Sequence, residues 1–197
     1  YLWSDFNYKT FLSKSLSKKG IYKSNIPWSF FNRKLKTKNH TIGYLGDARK
    51  ARGFHLLPQI IEKLSKKNKS LKFLIQFSKI ENNLITIKNN IKKKSIKNKK
   101  IKIIKKNIYY KEFINILKDI DIMPILHNSR EINRVTSGTM YSCIPYQIPM
   151  VVPVGTTFMK KILKQKSYEI AYDLNDFTNK ISKISKNYSY YLNNVKI

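Results

Sequence analysis

From residue 41 onward, short apolar runs alternate with amphipathic stretches. Residues 41–46 (TIGYLG), 71–78 (LKFLIQFS), 101–105 (IKIIK), 120–126 (IDIMPIL) and 149–154 (PMVVPV) are apolar nearly throughout, and 167–173 (SYEIAYD) is a sixth candidate of the same kind. Runs this short, without strict alternation, fit strands buried on both faces of a parallel sheet. Between them, Leu57, Ile60, Ile61 and Leu64 recur at helical spacing, and so do Phe113, Ile114 and Leu117. Residues 80–96 predict a helix with a heavily basic face, 137–147 a further helix, and 175–185 one capped by Asn175 or Asp176. Strand and helix alternating at this spacing predict an α/β fold: a doubly wound, mostly parallel sheet with helices on both faces. Residues 1–40 differ. They are rich in aromatics and lysine, broken by Gly20 and Pro27, and read as a linker ahead of a domain formed by 41–197.

A chain of 197 residues suits one domain of this kind. No apolar run approaches the roughly 20 residues of a membrane-spanning helix. Cys143 stands alone, which excludes an intramolecular disulfide, and Cys and His are too few and scattered for a structural zinc site, so no metal is expected. The net charge of +29 points toward a polyanion, either nucleic acid or an anionic membrane surface. However, the cations are 35 Lys against 5 Arg, beside 28 Ile and 19 Asn. Lys, Ile and Asn are the residues with A/T-rich codons, and Arg, the better residue for bidentate phosphate and base contacts, is scarce. Most of the charge therefore reads as drift in codon usage, and nucleic acid is disfavoured as a partner. The segment 88–106 carries ten lysines with no aromatic among them, unlike a base-stacking surface.

In a doubly wound sheet, ligands bind beyond the carboxyl ends of the strands, so the residues after each strand carry the chemistry. The first strand is followed by GYLGDARKARGF (43–54), where Gly46 permits a sharp turn, Arg49, Lys50 and Arg52 follow, and Gly53 opens a helix. Cations ahead of a helix start suit a phosphate or diphosphate; the alternative is a solvated basic turn, although lysine drift does not account for the arginines. The fourth strand is followed by HNSREINRVTSGTMYS (127–142), in which Ser or Thr can cap a helix and Gly138 allows close approach to its amides; the alternative is an ordinary capped helix. Gly155, Thr156 and Thr157 form a third small polar turn. Asp119, Asp121, His40, His55 and Cys143 read as structural or packing residues. No Ser–His–Asp order, zinc-protease motif or Walker A motif occurs.

These residues together resemble the C-terminal, nucleotide-sugar-binding half of GT-B glycosyltransferases of group 1, the glycogen-synthase-like family 4. Residues 43–54 are similar to the family's turn after its first strand, with Arg49 at the Arg position and Arg52 replacing a Lys. YYKEFINILKDIDIMPI (109–125) is similar to the aromatic-rich helix and the strand after it, RVTSG (134–138) to the Ser-Gly turn, and QIPMVVPVGT (147–156) to the segment after the following helix. The resemblance covers residues 41–190 and lies in the order and spacing of four motifs.

It implies transfer of a sugar from a nucleotide-diphosphate donor to an acceptor glycan or lipid-linked glycan, with retention of configuration, without a cofactor or essential metal, and in the cytoplasm or at the inner face of the membrane. Arg49, Arg52, Ser137 and Gly138 would hold the donor diphosphate; Glu131, Arg134, Ser142, Gly155 and Thr156 would lie about the donor sugar and ribose. The family's two Glu positions fall on Arg134 and Ser142 here, and a Gly position on Gln147. Residues 1–40 would be the end of an N-terminal half and the linker from it, so this half alone would lack the acceptor-binding part of the enzyme. The alternative is a non-catalytic basic module of the same fold, binding nucleic acid or anionic lipid.

Overall fold

The computed structural model describes residue 31 and residues 33–128, 137–156 and 167–195. Six strands form the frame: β1 (Thr41–Leu45), β2 (Lys72–Gln76), β3 (Ile101–Ile104), β4 (Met123–Pro124), β5 (Met150–Pro153) and β6 (Tyr168–Ala171). β1, β2 and β3 form one parallel sheet in that order, and β4, β5 and β6 another. A parallel bridge between Ile42 and Ile122 joins them, with the Gly43 amide donating to the Ile122 carbonyl at 3.0 Å and the Ile122 amide to Thr41 at 3.1 Å. The combined order is 3-2-1-4-5-6, which puts the topological switch, and the crevice that goes with it, between β1 and β4. Gly43 permits this junction: a Cβ there would fall 2.5 Å from the Ile120 side chain.

The helices are α1 (Leu57–Lys67), α2 (Ile85–Lys97), α3 (Tyr110–Asp119), α4 (Gly138–Cys143), α5 (Leu174–Lys186) and α6 (Tyr188–Val195). Strand side chains alternate between two cores, as the pleat requires. Ile42, Tyr44, Phe73, Ile75 and Val151 meet Leu57, Ile61 and Leu64 of α1, Ile91 of α2 and Phe177 and Ile181 of α5 on one face. Leu45, Leu74, Met123, Met150 and Val152 meet Ile116 and Leu117 of α3 and Met140 and Cys143 of α4 on the other. The doubly wound architecture is thus present, with helices on both faces.

The structure corrects several sequence expectations. Residues 120–126 pair as a strand only over Met123–Pro124, because Pro124 has no amide proton and the Asp121 carboxylate is turned to the Thr41 amide at 2.9 Å. The helix expected over 137–147 ends at Cys143; Pro145 interrupts it, Gln147 adopts a positive φ of 51°, and the Ser137 hydroxyl makes no capping bond. The cap of α5 is Asp173, which accepts from the Asp176 amide at 2.8 Å, while the Asp176 carboxylate accepts from the Tyr172 amide at 3.2 Å. α6 lies in a stretch where the sequence pattern predicts no element.

The segment before β1 packs onto this frame. Arg33 is buried and donates to the carbonyls of Leu117, Lys118 and Tyr146 and to the Asp121 carboxylate at 3.2 Å, which also pairs with Lys36 at 3.0 Å. His40 pairs through Nδ1 with the Ser185 hydroxyl at 3.0 Å, donates from Nε2 to the Lys36 carbonyl, and lies 4.4 Å from the Tyr188 ring. Asp121 and His40 are structural, as their sequence context indicated.

Candidate functional site

The carboxyl edge of the sheet is organised around the turn after β1. Gly46 takes a φ of 119°, and its amide donates to both the main-chain and side-chain oxygens of Gln76, at 3.2 and 3.1 Å. The buried Gln76 amide group in turn donates to Lys106 at 3.0 Å, tying the exits of β1, β2 and β3 together. Asp47 comes next. Its carboxylate accepts from the Ser78 hydroxyl and from Arg49, both at 2.8 Å. Partial burial raises its pKa, but the Ser78 bond and the Arg49 charge outweigh that and hold it below the usual carboxylate range.

The two arginines of the turn have different surroundings. Arg49 is half exposed and engaged by Asp47. The Arg52 guanidinium lies against the Gly46 backbone, so close that a Cβ on Gly46 would fall 2.5 Å from it. Arg52 is in no ion pair among the described residues. The backbone amides of Ala48, Arg49, Lys50, Arg52 and Gly53 are all bonded within the protein, that of Lys50 to the Glu81 carboxylate at 2.8 Å. An anion at this turn would therefore be met by side chains rather than by the open helix amides that the sequence suggested.

Gly53 closes the turn onto β4. With a φ of 71°, it sits where any Cβ would run into the backbone carbonyl of Leu126, and the Asn128 amide donates to the Ala51 carbonyl at 2.9 Å. His127 lies at this junction. Its Nδ1 is buried without a partner, and burial, followed by the Arg52 charge, lowers its pKa to about 4. His55 has the same unpartnered Nδ1 and a pKa lowered by burial and by Lys50. A cleft of about 790 Å³ opens beside these groups, lined among others by Lys50, His55, His127, Pro153, Asp173 and Phe177. Among the described residues, no three His, Cys, Asp or Glu side chains gather around a metal position.

Of the remaining sequence candidates, Gly155 and Thr156 follow the carboxyl end of β5, and Ser137, Gly138 and Ser142 belong to α4 and its start. Ser137 is half buried just before α4; Gly138 is exposed, with open space where a Cβ would stand. The Ser142 hydroxyl donates back to the Gly138 carbonyl at 2.9 Å. Gly155 takes a φ of 87°, and the buried Thr156 hydroxyl closes its turn by donating to Pro153 at 2.7 Å. Glu131 and Arg134 fall outside the described residues. Asp47, Gln76, Ser78 and Glu81 are not marked by the sequence as site residues, and His127 stands in the turn after the fourth strand without an assigned role; apart from the Asp47–Arg49 pair, their contribution comes from partners about thirty residues or more away, which spacing within one motif does not reveal. Cys143 is fully buried and its thiol pKa is pushed up, in keeping with a packing role.

Comparison with solved structures places this architecture. The C-terminal domain of a glycosyl transferase group 1 family protein (LpcC) from Francisella tularensis matches with a TM-score of 0.66 at 11% identity, over 80% of this chain and 80% of that one. A glycine-to-arginine mutant of TarM from S. aureus, in a complex with fondaparinux, alpha-GlcNAc-glycerol and UDP, matches with a TM-score of 0.68 at 14% identity, over 98% of this chain and 38% of TarM. Sucrose-phosphate synthase from Thermosynechococcus elongatus matches with a TM-score of 0.64 at 10% identity, over 96% of this chain and 49% of the synthase. The chain spans less than half the length of the last two. No protein-family model and no curated protein sequence matches it. The fold is that of a GT-B glycosyltransferase domain; at these identities the likeness extends to the fold alone.

Proposed function

We propose that this chain is the donor-binding domain of a glycosyltransferase and holds a nucleotide-diphosphate sugar at the crevice between β1 and β4. The observation that carries this reading is Arg52: an arginine with no ion pair among the described residues, lying against a glycine turn at the switch point of a 3-2-1-4-5-6 sheet. Arg52 would bind the diphosphate, with Lys50 and the outward Arg49 adding charge. As the sugar leaves, negative charge grows on that diphosphate, and a fixed guanidinium beside it lowers the barrier. Ser137, Gly138, Ser142, Gly155 and Thr156, with Glu131 and Arg134, would lie around the sugar and ribose. The acceptor would be a glycan or lipid-linked glycan, and a nucleotide sugar as substrate would make the cytoplasm the site of action. The UDP held by TarM is consistent with this ligand class.

The test is thermal stabilisation by UDP and GDP. Wild-type protein should be stabilised by at least one of them. Arg52→Ala should weaken affinity by about ten- to a hundredfold, the worth of a hydrogen bond to a charged group. Arg49→Ala should cost less, because Asp47 already engages that side chain. Absence of stabilisation by any nucleoside diphosphate or nucleotide sugar, in folded protein, would overturn the reading.

A further inference from the structure

We propose that the outer face of α2, with the β3 edge beside it, docks the protein on an anionic lipid membrane. This goes beyond the donor site and does not depend on it. Residues 82–111 contain eleven lysines, no arginine and no carboxylate, whereas residues 119–159 contain no lysine at all. The charge is therefore segregated along the chain rather than spread as codon drift alone would spread it.

α2 is anchored in the core by Ile91, with Leu84 buried just ahead of it. The opposite side of the helix carries Ile85, Asn89, Lys92, Lys93 and Ile96, at spacings of four, seven, eight and eleven residues, all exposed. Ile96 is 82% exposed and Ile85 42%. Next to α2, β3 is the edge strand of the sheet, with exposed Lys99 and Lys100 before it and exposed Lys105 and Lys106 after it. Among the described residues, two carboxylates pair with lysines of this region: Glu62, 3.4 Å from Lys94, and Glu112, 2.6 Å from Lys106.

Apolar side chains projecting from a lysine-rich face match a bilayer surface, where lysines meet anionic headgroups and the isoleucines enter the acyl boundary. Nucleic acid is the poorer fit. The face lacks the arginines that read base edges and the aromatics that stack on bases, and two solvent-exposed isoleucines contribute nothing to a phosphate backbone.

Cosedimentation of the full chain with lipid vesicles tests this, using phosphatidylcholine alone and phosphatidylcholine with about one third phosphatidylglycerol. Wild-type protein should bind the anionic vesicles and leave the neutral ones. Replacing Lys92, Lys93 and Lys97 by Gln should weaken binding by about a hundredfold. Replacing Lys34, Lys38 and Lys186 by Gln removes the same charge elsewhere and should matter far less. The pair Ile85→Gln and Ile96→Gln should weaken vesicle binding several-fold at unchanged charge. All these positions are exposed, so thermal midpoints should stay close to wild type. Equal losses from the two lysine triples, no effect of the isoleucine pair, or tighter binding to an oligonucleotide than to anionic vesicles would each overturn the proposal.

Discussion

Arg49 and Arg52 stand three residues apart in a turn rich in cations, yet their surroundings divide their duties. Asp47 engages Arg49, while Arg52 lies against Gly46 and imposes its field on His127. Burial of the His127 imidazole, with that field added to it, gives a pH dependence with a definite sign. Unfolded, the His127 imidazole takes up its proton near the ordinary value of 6.5; folded, it resists until about 4. A depressed histidine adds no penalty above pH 6.5, and stability is lost as pH falls from there toward 4, by on the order of 3 kcal/mol in total. His55 acts in the same direction. Thermal midpoints measured between pH 7 and pH 4.5 should fall less steeply for His127→Gln than for wild type; parallel curves would contradict this electrostatic account. The arginines were legible in the sequence because lysine drift does not explain them. His127 was not, since its character depends on burial and on a charge 75 positions earlier that the fold brings near.

At the scale of elements, glycines mark where backbone meets backbone. Gly53→Ala combines a positive φ with a collision against Leu126 and should destabilise the protein by about 3 kcal/mol in urea unfolding. Gly138→Ala enters open space at the start of α4 and should be neutral or stabilising by up to about 1 kcal/mol. Similar losses at both positions would mean that the β1 turn does not pack on the β4 exit as described. The buried strands and α1, α3 and α5 were readable because apolar runs and helical spacing reflect local burial. What was misread depended on single atoms: the missing amide proton of Pro124, Pro145 ending α4, and the Asp173–Asp176 pair that puts the cap of α5 two or three residues ahead of Asn175 or Asp176. α6 went unseen because Tyr188, Tyr191, Leu192 and Val195 share a face in a polar, aromatic-rich stretch without an evident start signal.

For the molecule as a whole, a sheet of order 3-2-1-4-5-6 sets two surfaces apart. The carboxyl edge holds Arg49, Arg52 and His127, and the β3 side carries the lysine block. At the opposite end of β1 and β4, Arg33 and Asp121 clamp the preceding segment to α3. The alternation of elements made the architecture legible; the pairing of β1 with β4, which creates the crevice, joins residues 80 positions apart and emerges only in three dimensions. A chain of net charge +29 attracts any nucleotide to some degree, so the decisive question is where one binds. The most direct measurement is a backbone amide chemical-shift titration of the full chain with UDP and with GDP. The account predicts perturbations concentrated at Gly46, at residues 49–53 and at His127. Perturbations concentrated instead over residues 88–106, or none at all, would contradict it.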